Sequence, residues 1–547
     1  MRACCSLILE PMIGIKKLVK RFSFTSTLQF IFIAVSLCAF LFSAWVLWLI
    51  PLYGDDLWHL PSLRSSSLGD LLSKPVFGDS NHIPLFHLWM WLSSVLSIEF
   101  PWIHTIQALL LFSTCGLFHL YLKQMTIPVW IRWMVTALFL TTPTIAESIY
   151  WTSATHQWLG CLWILTALIL LPRTAEANHF WRWLATFLCL LFAMLTSELT
   201  YGFCVLFIGV LGLKYRKTPQ VVSGCVMVAL LMIALVAQRN HLITGDWTQL
   251  ALDRDLNRAF FLKKIYLSLY EFLVYAHPLS LVDKFSTGYF VRNKLSEGWL
   301  FFHLIWQTFI WVVILQRKGR NGWELFLLAF ATPLMIILSK GLIYERYLMA
   351  TIIANVLAIG IFVDCFRPPF SEKLLKTGGI VMVVVVFINL NTFVQRTLEH
   401  WVKDAVRYQN IMALAQHEKP DRTNPIGLVD ALSRYYRPVQ AREWWAAPPN
   451  TLYEYQLILA ERELPGCIYD LLEFLPFEGH IYHYFHLWSI AYLKDACPWP
   501  PQELRCFKYY ETGLAQGEFR EFKGQVQLAY LSDEYASKPQ ELPITCR

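Results

Sequence analysis

The chain has 547 residues, 56% of them hydrophobic and only 16% charged, with a formal net charge of +7 and a mean hydropathy of +0.43. That balance is too apolar for an ordinary soluble domain. The surplus Lys and Arg fall mostly in short connectors between apolar runs, so the charge speaks of membrane topology rather than of nucleic-acid binding. The composition predicts an all-α polytopic membrane protein.

Windows long enough to cross roughly 30 Å of hydrocarbon fall near residues 28–50, 103–122, 130–147, 156–172, 182–197, 201–214, 220–238, 298–316, 323–340, 346–364 and 378–396. They predict roughly eleven transmembrane helices at the usual length per crossing. Residues 1–27 carry Lys16, Lys17, Lys20 and Arg21 and read as a cytoplasmic segment. The apolar run that follows is longer than a signal-peptide core and has no small-residue cleavage site, so an anchor is expected. With that orientation the inner connectors hold Lys123 and Arg132, Arg173 and Arg182, Lys214, Arg216 and Lys217, Arg317, Lys318 and Arg320, and Arg367, Lys373 and Lys376. Each is basic, as the positive-inside rule requires. An odd number of spans then places the tail, 397–547, on the outer side of a transmembrane domain covering 28–396.

The first outer loop, 51–102, is too long for a connector and too apolar for a disordered one. Leu57–Leu72 and Ile83–Leu96 read as juxtamembrane helices with one apolar face. The loop opens Pro51-Leu52-Tyr53-Gly54-Asp55-Asp56-Leu57-Trp58-His59, and Phe77-Gly78-Asp79-Ser80-Asn81-His82-Ile83-Pro84 joins its two helices. Two short outer connectors follow: Glu147-Ser148-Ile149-Tyr150-Trp151 running on to Trp158, and Thr196-Ser197-Glu198-Leu199-Thr200-Tyr201-Gly202. A large outer loop, 239–297, begins at Arg239 and contains an amphipathic stretch, Phe260–Tyr275. The last outer turn runs from Ser339 and Lys340 to Arg346 and Tyr347. Beyond 397 the composition changes, with charged residues at helical spacing as in Arg407–Leu414, which predicts a mostly helical outer domain. Nine of the 13 cysteines lie in or beside the spans or near the N-terminus, where thiols act as small hydrophobes. Cys467, Cys497, Cys506 and Cys546 are in the tail, an even number on a side that permits disulfides.

Asp55, Asp56, Asp79, His82, Glu147, Glu198, Arg239, Lys340 and Arg346 all map to outer loops or outer ends of spans. Ionisable groups in a membrane domain are costly unless they face a polar cavity, so this convergence predicts one outward-facing site. Adjacent carboxylates at Asp55-Asp56 can hold a divalent cation such as magnesium or manganese, or supply a general base; as helix caps they would do neither. Glu147 and Glu198 equally suit helix capping, and Trp151 suits an interfacial aromatic belt as well as a sugar-stacking platform. The sequence has no Walker loop, dinucleotide-binding glycine pattern, metal-spaced Cys/His set or His-Glu-x-x-His, which argues against nucleotide-driven chemistry.

An acidic pair directly after the first span, two juxtamembrane helices, a His-x-Pro element opening the second, Tyr150-Trp151, a Ser-Glu turn and Arg346-Tyr347 opening a late span occur here in one order and on one side. In this the chain resembles the C-type membrane glycosyltransferases, which use polyprenyl-phosphate sugar donors and include protein O-mannosyltransferases and lipid A aminoarabinose transferases. The likeness spans about 28–365 and omits the tail. It implies Asp55 or Asp56 as the base that deprotonates the acceptor hydroxyl, or as a metal ligand, with Glu147 as the second acidic group. Arg239 and Arg346 would neutralise the donor phosphate, and Asp79, His82, Trp151, Glu198 and Lys340 would contribute to substrate binding. Family members often carry an arginine inside the His-x-Pro element, where this chain has Ile83. The partners implied are a polyprenyl-phosphate-linked sugar, a glycan, lipid or protein acceptor, and membrane lipid.

Two other classes fit a polytopic, inside-basic chain: a transporter of lipid-linked glycans, which requires polar groups at mid-membrane depth, and a non-catalytic subunit whose outer tail is an interaction module. The tail has no Asn-x-Ser/Thr sequon, which favours a bacterial inner membrane and periplasm over an endoplasmic-reticulum lumen.

Overall fold

The computed structural model describes residues 24–50, 100–171, 180–244, 294–318, 320–339, 348–365 and 372–402, single positions between 67 and 92, Pro278, and strands between 426 and 531. The helices are α1 (Phe24–Leu49), α2 (Phe100–Gln124), α3 (Val129–Thr141), α4 (Ala146–Tyr150), α5 (Thr155–Leu170), α6 (Phe180–Thr196), α7 (Tyr201–Lys214), α8 (Pro219–Thr244), α9 (Lys294–Lys318), α10 (Arg320–Ser339), α11 (Met349–Cys365) and α12 (Glu372–Thr397). Every expected window but 130–147 coincides with one of the longer helices. In lipid the backbone must satisfy its own hydrogen bonds, and runs this rich in Leu, Ile, Val, Phe and Ala do so as helices.

Among the described residues, four helices are long and apolar enough to cross a membrane, Phe24–Leu49, Ile103–Gln124, Pro219–Gln238 and Lys376–Thr397, and a bent pair makes a fifth. The protein is an integral membrane protein. Helix α1 shows the pattern directly. Leu28, Phe32, Val35, Ala39 and Val46 are buried, whereas Phe30, Leu37, Leu41, Trp45 and Trp48 are exposed. A helix apolar on both faces has a packed side and a lipid side.

The bent pair corrects one expectation, that 130–147 is a single straight span. Helix α3 stops at Thr142, which is extended (φ −68°, ψ 117°), and Pro143 opens the short 3₁₀ turn Pro143–Ile145. The chain turns by 61° between the two limbs. The cause is Pro143: its ring disfavours helical dihedrals at Thr142, and it has no N–H to continue the ladder. The Thr142 N–H turns to Phe139 O, and the Thr142 hydroxyl takes over the Leu138 carbonyl, donating to it at 2.6 Å.

Contacts at the two ends of the bundle give the helices alternating directions. At the end where α1 begins, Gly379 of α12 packs against the Leu28 side chain, a Cβ there standing 2.5 Å from Leu28 Cδ1, so these two helices meet closely. Gln124 Nε2 donates to Ile169 O at 3.0 Å, and Arg182 Nε to Leu170 O at 3.2 Å, which places the ends of α2 and α5 and the start of α6 together. At the opposite end, the expected outer one, Gln107 Nε2 donates to Thr155 Oγ1 at 3.0 Å. There too the rings of Phe42 and Phe393 meet edge to face with centroids 6.1 Å apart.

Beyond Val402 the described residues are strands, which the expectation of a mostly helical outer domain did not include; the rest of the tail lies outside the described residues. The strands are β1 (Ile426–Asp430), β2 (Gly466–Asp470), β3 (Pro476–Phe477), β4 (His480–Ile481), β5 (Leu487–Ser489), β6 (Glu518–Phe522) and β7 (Val526–Leu531). Five form one sheet in the order β5-β2-β1-β7-β6, and β3 pairs with β4. Strand β1 lies at its centre, parallel to β2 and β7, with Leu428 opposite Ile468 on one side and Ala529 on the other. The physical reason is in short segments such as Gly466-Cys467-Ile468-Tyr469-Asp470 and Val526-Gln527-Leu528-Ala529-Tyr530-Leu531, whose β-branched and aromatic residues suit a pleated ladder. Arg407–Leu414, whose spacing predicts helix, lies outside the described residues.

Candidate functional site at one end of the helical domain

The described helix ends that border the candidate residues gather at the expected outer end. Helix α1 arrives there just before Asp55 and Asp56. The break between α3 and α5 carries Glu147 and Trp151, and the turn between α6 and α7 carries Glu198. Gly224 of α8 packs against the ring of Phe187, half-way along α6, so α8 runs alongside α6 and delivers Arg239 toward the same end. Helix α10, which stops just before Lys340, touches the 198–200 turn, and Thr351 near the start of α11 donates to Ala329 O of α10 at 3.0 Å.

Glu147 lies within α4. Pro143 and Tyr150, four residues before it and three after, are both held by α12. Arg396, only 4% exposed, donates from Nη1 to Pro143 O at 3.1 Å. Tyr150 is fully buried, its ring stacked on Phe393 with centroids 6.4 Å apart and tilted against Trp401 at 5.4 Å. Its hydroxyl faces those of Ser43 and Thr397. First span, broken helix and last span therefore meet around Tyr150.

Trp151 follows as an extended, half-buried residue (φ −99°, ψ 114°), its carbonyl accepting the Ala154 N–H at 3.0 Å. Behind it α2 turns a polar face toward α5: the Nδ1 of His104 meets Gln107 Oε1, both buried. Gln107 passes the chain of bonds to Thr155, and Trp158 Nε1 donates to Thr114 Oγ1 at 2.9 Å.

Glu198 opens a 3₁₀ turn after the extended Ser197 (φ −151°, ψ 125°) and is half-buried. The turn is seated on α5: a Cβ at Gly160 would lie 2.9 Å from both Ser197 Cβ and Thr200 Cγ2. Gln157, one turn earlier on α5, and Ser197 are buried, and among the described residues Gln157 Oε1 and Ser197 Oγ have no hydrogen-bond partner.

The structure thus places Trp151 and Glu198 with their side chains, and Glu147 and Arg239 by their helices. Asp55, Asp56, Asp79, His82, Lys340 and Arg346 lie outside the described residues, as do most of the two juxtamembrane helices and Phe260–Tyr275. Among the described residues no group of three or more His, Cys, Asp or Glu side chains is arranged to hold a metal; the Asp55-Asp56 pair is not among them. Sequence reasoning missed Arg396, His104, Gln107 and Ser43. Arg396 closes an apolar window, and a cation in the last turn of a span was the available signal.

No family model matches the chain, and no curated protein sequence does. Two crystal structures of ArnT from Cupriavidus metallidurans are similar, both with a TM-score of 0.44 and both covering 80% of this chain and 92% of that chain. One is in the apo state, at 13% identity, and the other is bound to undecaprenyl phosphate, at 14% identity.

Proposed function

We propose that this membrane protein is a glycosyltransferase that moves a sugar from a polyprenyl-phosphate donor to an acceptor hydroxyl at the outer end of its helices. The observation that carries the reading is the meeting of the 142–151 break, the 197–200 turn and the buried Arg396 at the end where α1 finishes. A bundle that only anchored a tail would not require buried polar side chains there. The order of sequence elements that resembles the C-type glycosyltransferases supports the same reading.

In this proposal Asp55 or Asp56 takes the proton of the acceptor hydroxyl as its oxygen attacks the anomeric carbon, and the polyprenyl phosphate leaves. Glu147 is the second acidic group. Arg239 and Arg346 neutralise the departing phosphate, a guanidinium forking onto phosphate oxygens. Asp79, His82, Trp151, Glu198 and Lys340 orient donor and acceptor, and the Asp55-Asp56 pair is also the proposed holder of magnesium or manganese. Holding both substrates in line removes the entropy of a bimolecular encounter, and base catalysis adds about 10²- to 10⁴-fold. The membrane is a bacterial inner membrane and the acceptor side its periplasm.

Mass spectrometry of lipid extracted from the purified protein tests the donor class, with a polyprenyl phosphate expected. Asp55→Asn and Asp56→Asn then test the chemistry. At least one is expected to abolish transfer while the protein stays inserted and monodisperse; full activity in both would remove the acidic pair from the mechanism.

One observation favours a transporter instead. Gln307 in the middle of α9 and Asn355 within α11 are buried at 3% and 2% exposure. Polar side chains at that depth also join helices to one another. Uptake of a fluorescent lipid-linked sugar into proteoliposomes, without any glycosylated product, is the result that would decide for transport.

A further inference from the structure

We infer that the root of the tail, Arg396 with Phe393, Thr397 and Trp401, is a clamp that positions α4 and thereby Glu147. The inference rests on the reading of Glu147 as a site residue. The clamp is built from three contacts on either side of Glu147: Arg396 Nη1 on Pro143 O at 3.1 Å, and the rings of Phe393 and Trp401 on Tyr150 at 6.4 and 5.4 Å. Thr397, fully buried, turns its hydroxyl toward that of Tyr150.

Three features set this apart from ordinary packing. First, the held segment cannot fix its own geometry. It is a five-residue helix, Ala146–Tyr150, entered through a 61° bend at a proline, and a helix so short has little stability of its own. Second, a guanidinium buried to 4% exposure is an expensive way to fill space in a membrane domain, where Leu or Met would pack at lower cost. What an arginine adds is direction, a planar fork aimed at one carbonyl. Third, that carbonyl also accepts the Ala146 N–H, so the guanidinium is fixed to the 3₁₀ turn that leads directly into the helix carrying Glu147. Arg396, Phe393 and Tyr150 are positioning residues: they act through the backbone of α4. Because α12 continues through the π turn Leu398–Val402 into the tail, the clamp also ties the place where the tail begins to the segment bearing Glu147.

The test uses the full chain in native membranes and does not depend on sugar transfer. With Glu147→Cys, labelling of the introduced thiol by a membrane-impermeant maleimide is measured against a matched chain that keeps Glu147, in backgrounds with Arg396, Arg396→Lys, Arg396→Gln and Arg396→Met. Arg396→Met is expected to change the labelling rate at position 147 several-fold, Arg396→Lys to restore most of it, and Arg396→Gln to lie between. The rate at a second probe, Glu198→Cys, half-buried in the turn between α6 and α7, is expected to stay constant. If Arg396→Met does not yield a monodisperse protein, the Lys and Gln variants carry the comparison. An unchanged rate at position 147 in the folded variants, or an equal change at both probes, would overturn the clamp. Transfer activity assayed on the Glu147 chain separates the two ideas: loss of the labelling effect with transfer intact removes only the clamp, whereas a labelling effect without any transfer removes only the enzymatic reading.

Discussion

The indole N–H of Trp158 donates to the hydroxyl of Thr114 at 2.9 Å, and both side chains are fully buried between α5 and α2. Nearer the outer end, about two turns away on α2 and one on α5, Gln107 makes the same crossing to Thr155. The two bonds form a short ladder that fixes how these helices meet just below the 142–151 break.

Trp158→Phe removes the donor of the first bond while keeping most of the ring's burial. A hydrogen bond between membrane helices is worth about 0.6–2 kcal/mol, so a modest fall in the thermal midpoint in detergent is expected. Trp158→Ala adds a cavity of aromatic size and should cost about 3–5 kcal/mol. Equal midpoints for the Phe variant and the parent would show that the bond contributes nothing beyond packing.

Gly160 should tolerate no side chain of consequence. A Cβ there meets Ser197 and Thr200 at 2.9 Å, so Gly160→Ala must push the 197–200 turn away from α5, at an expected cost of about 1–3 kcal/mol. Since the turn begins with Glu198, the proposed function adds a second consequence: lower transfer with little change in the amount of inserted protein. Quantifying both by immunoblot and by product formation checks it. A Gly160→Ala chain with parental stability and activity would place the turn outside the site.

The helical domain was legible because each element declares itself locally. An apolar run bounded by Lys or Arg has one outcome in lipid, and all windows but 130–147 match a helix to within a few residues. The bend at Pro143 was legible in principle, since Thr142-Pro143 is a proline-preceded residue inside a window, but hydropathy averages over it. Arg396 was not legible as a clamp, because its partner is Pro143, 253 positions away, and no local pattern encodes such a meeting. The strands of the tail were not legible, because segments of five or six residues such as Ile426–Asp430 are set by pairing with distant segments rather than by their own pattern.

Strand β1 makes the tail separable from the helices by experiment. It is bonded on both sides, to β2 and to β7, and proline at its middle removes a ladder donor that an edge strand would not miss. Leu428→Pro is therefore expected to make the tail sensitive to limited proteolysis while the helical domain stays inserted. Cleavage patterns identical to the parent would show that β1 is not central.

Arg346 offers a test of chemistry rather than of charge. It stands two residues before the first described position of the segment that becomes α11, across the same loop as Lys340. In the proposed role it holds a phosphate through two parallel N–H···O bonds, a geometry that an ammonium cannot reproduce. Arg346→Lys keeps the charge and loses the fork; Arg346→Ala loses both. Donor binding should fall in the order Arg, Lys, Ala, each step worth about 1.5–3 kcal/mol for a charge-assisted bond, which is roughly a tenfold or larger change in the donor KM. Acceptor KM should stay constant throughout the series, because the acceptor carries no part of that phosphate. An interfacial arginine that merely anchors the helix would show neither the graded loss nor its confinement to the donor, and equal donor affinity in all three chains would assign Arg346 to that anchoring role.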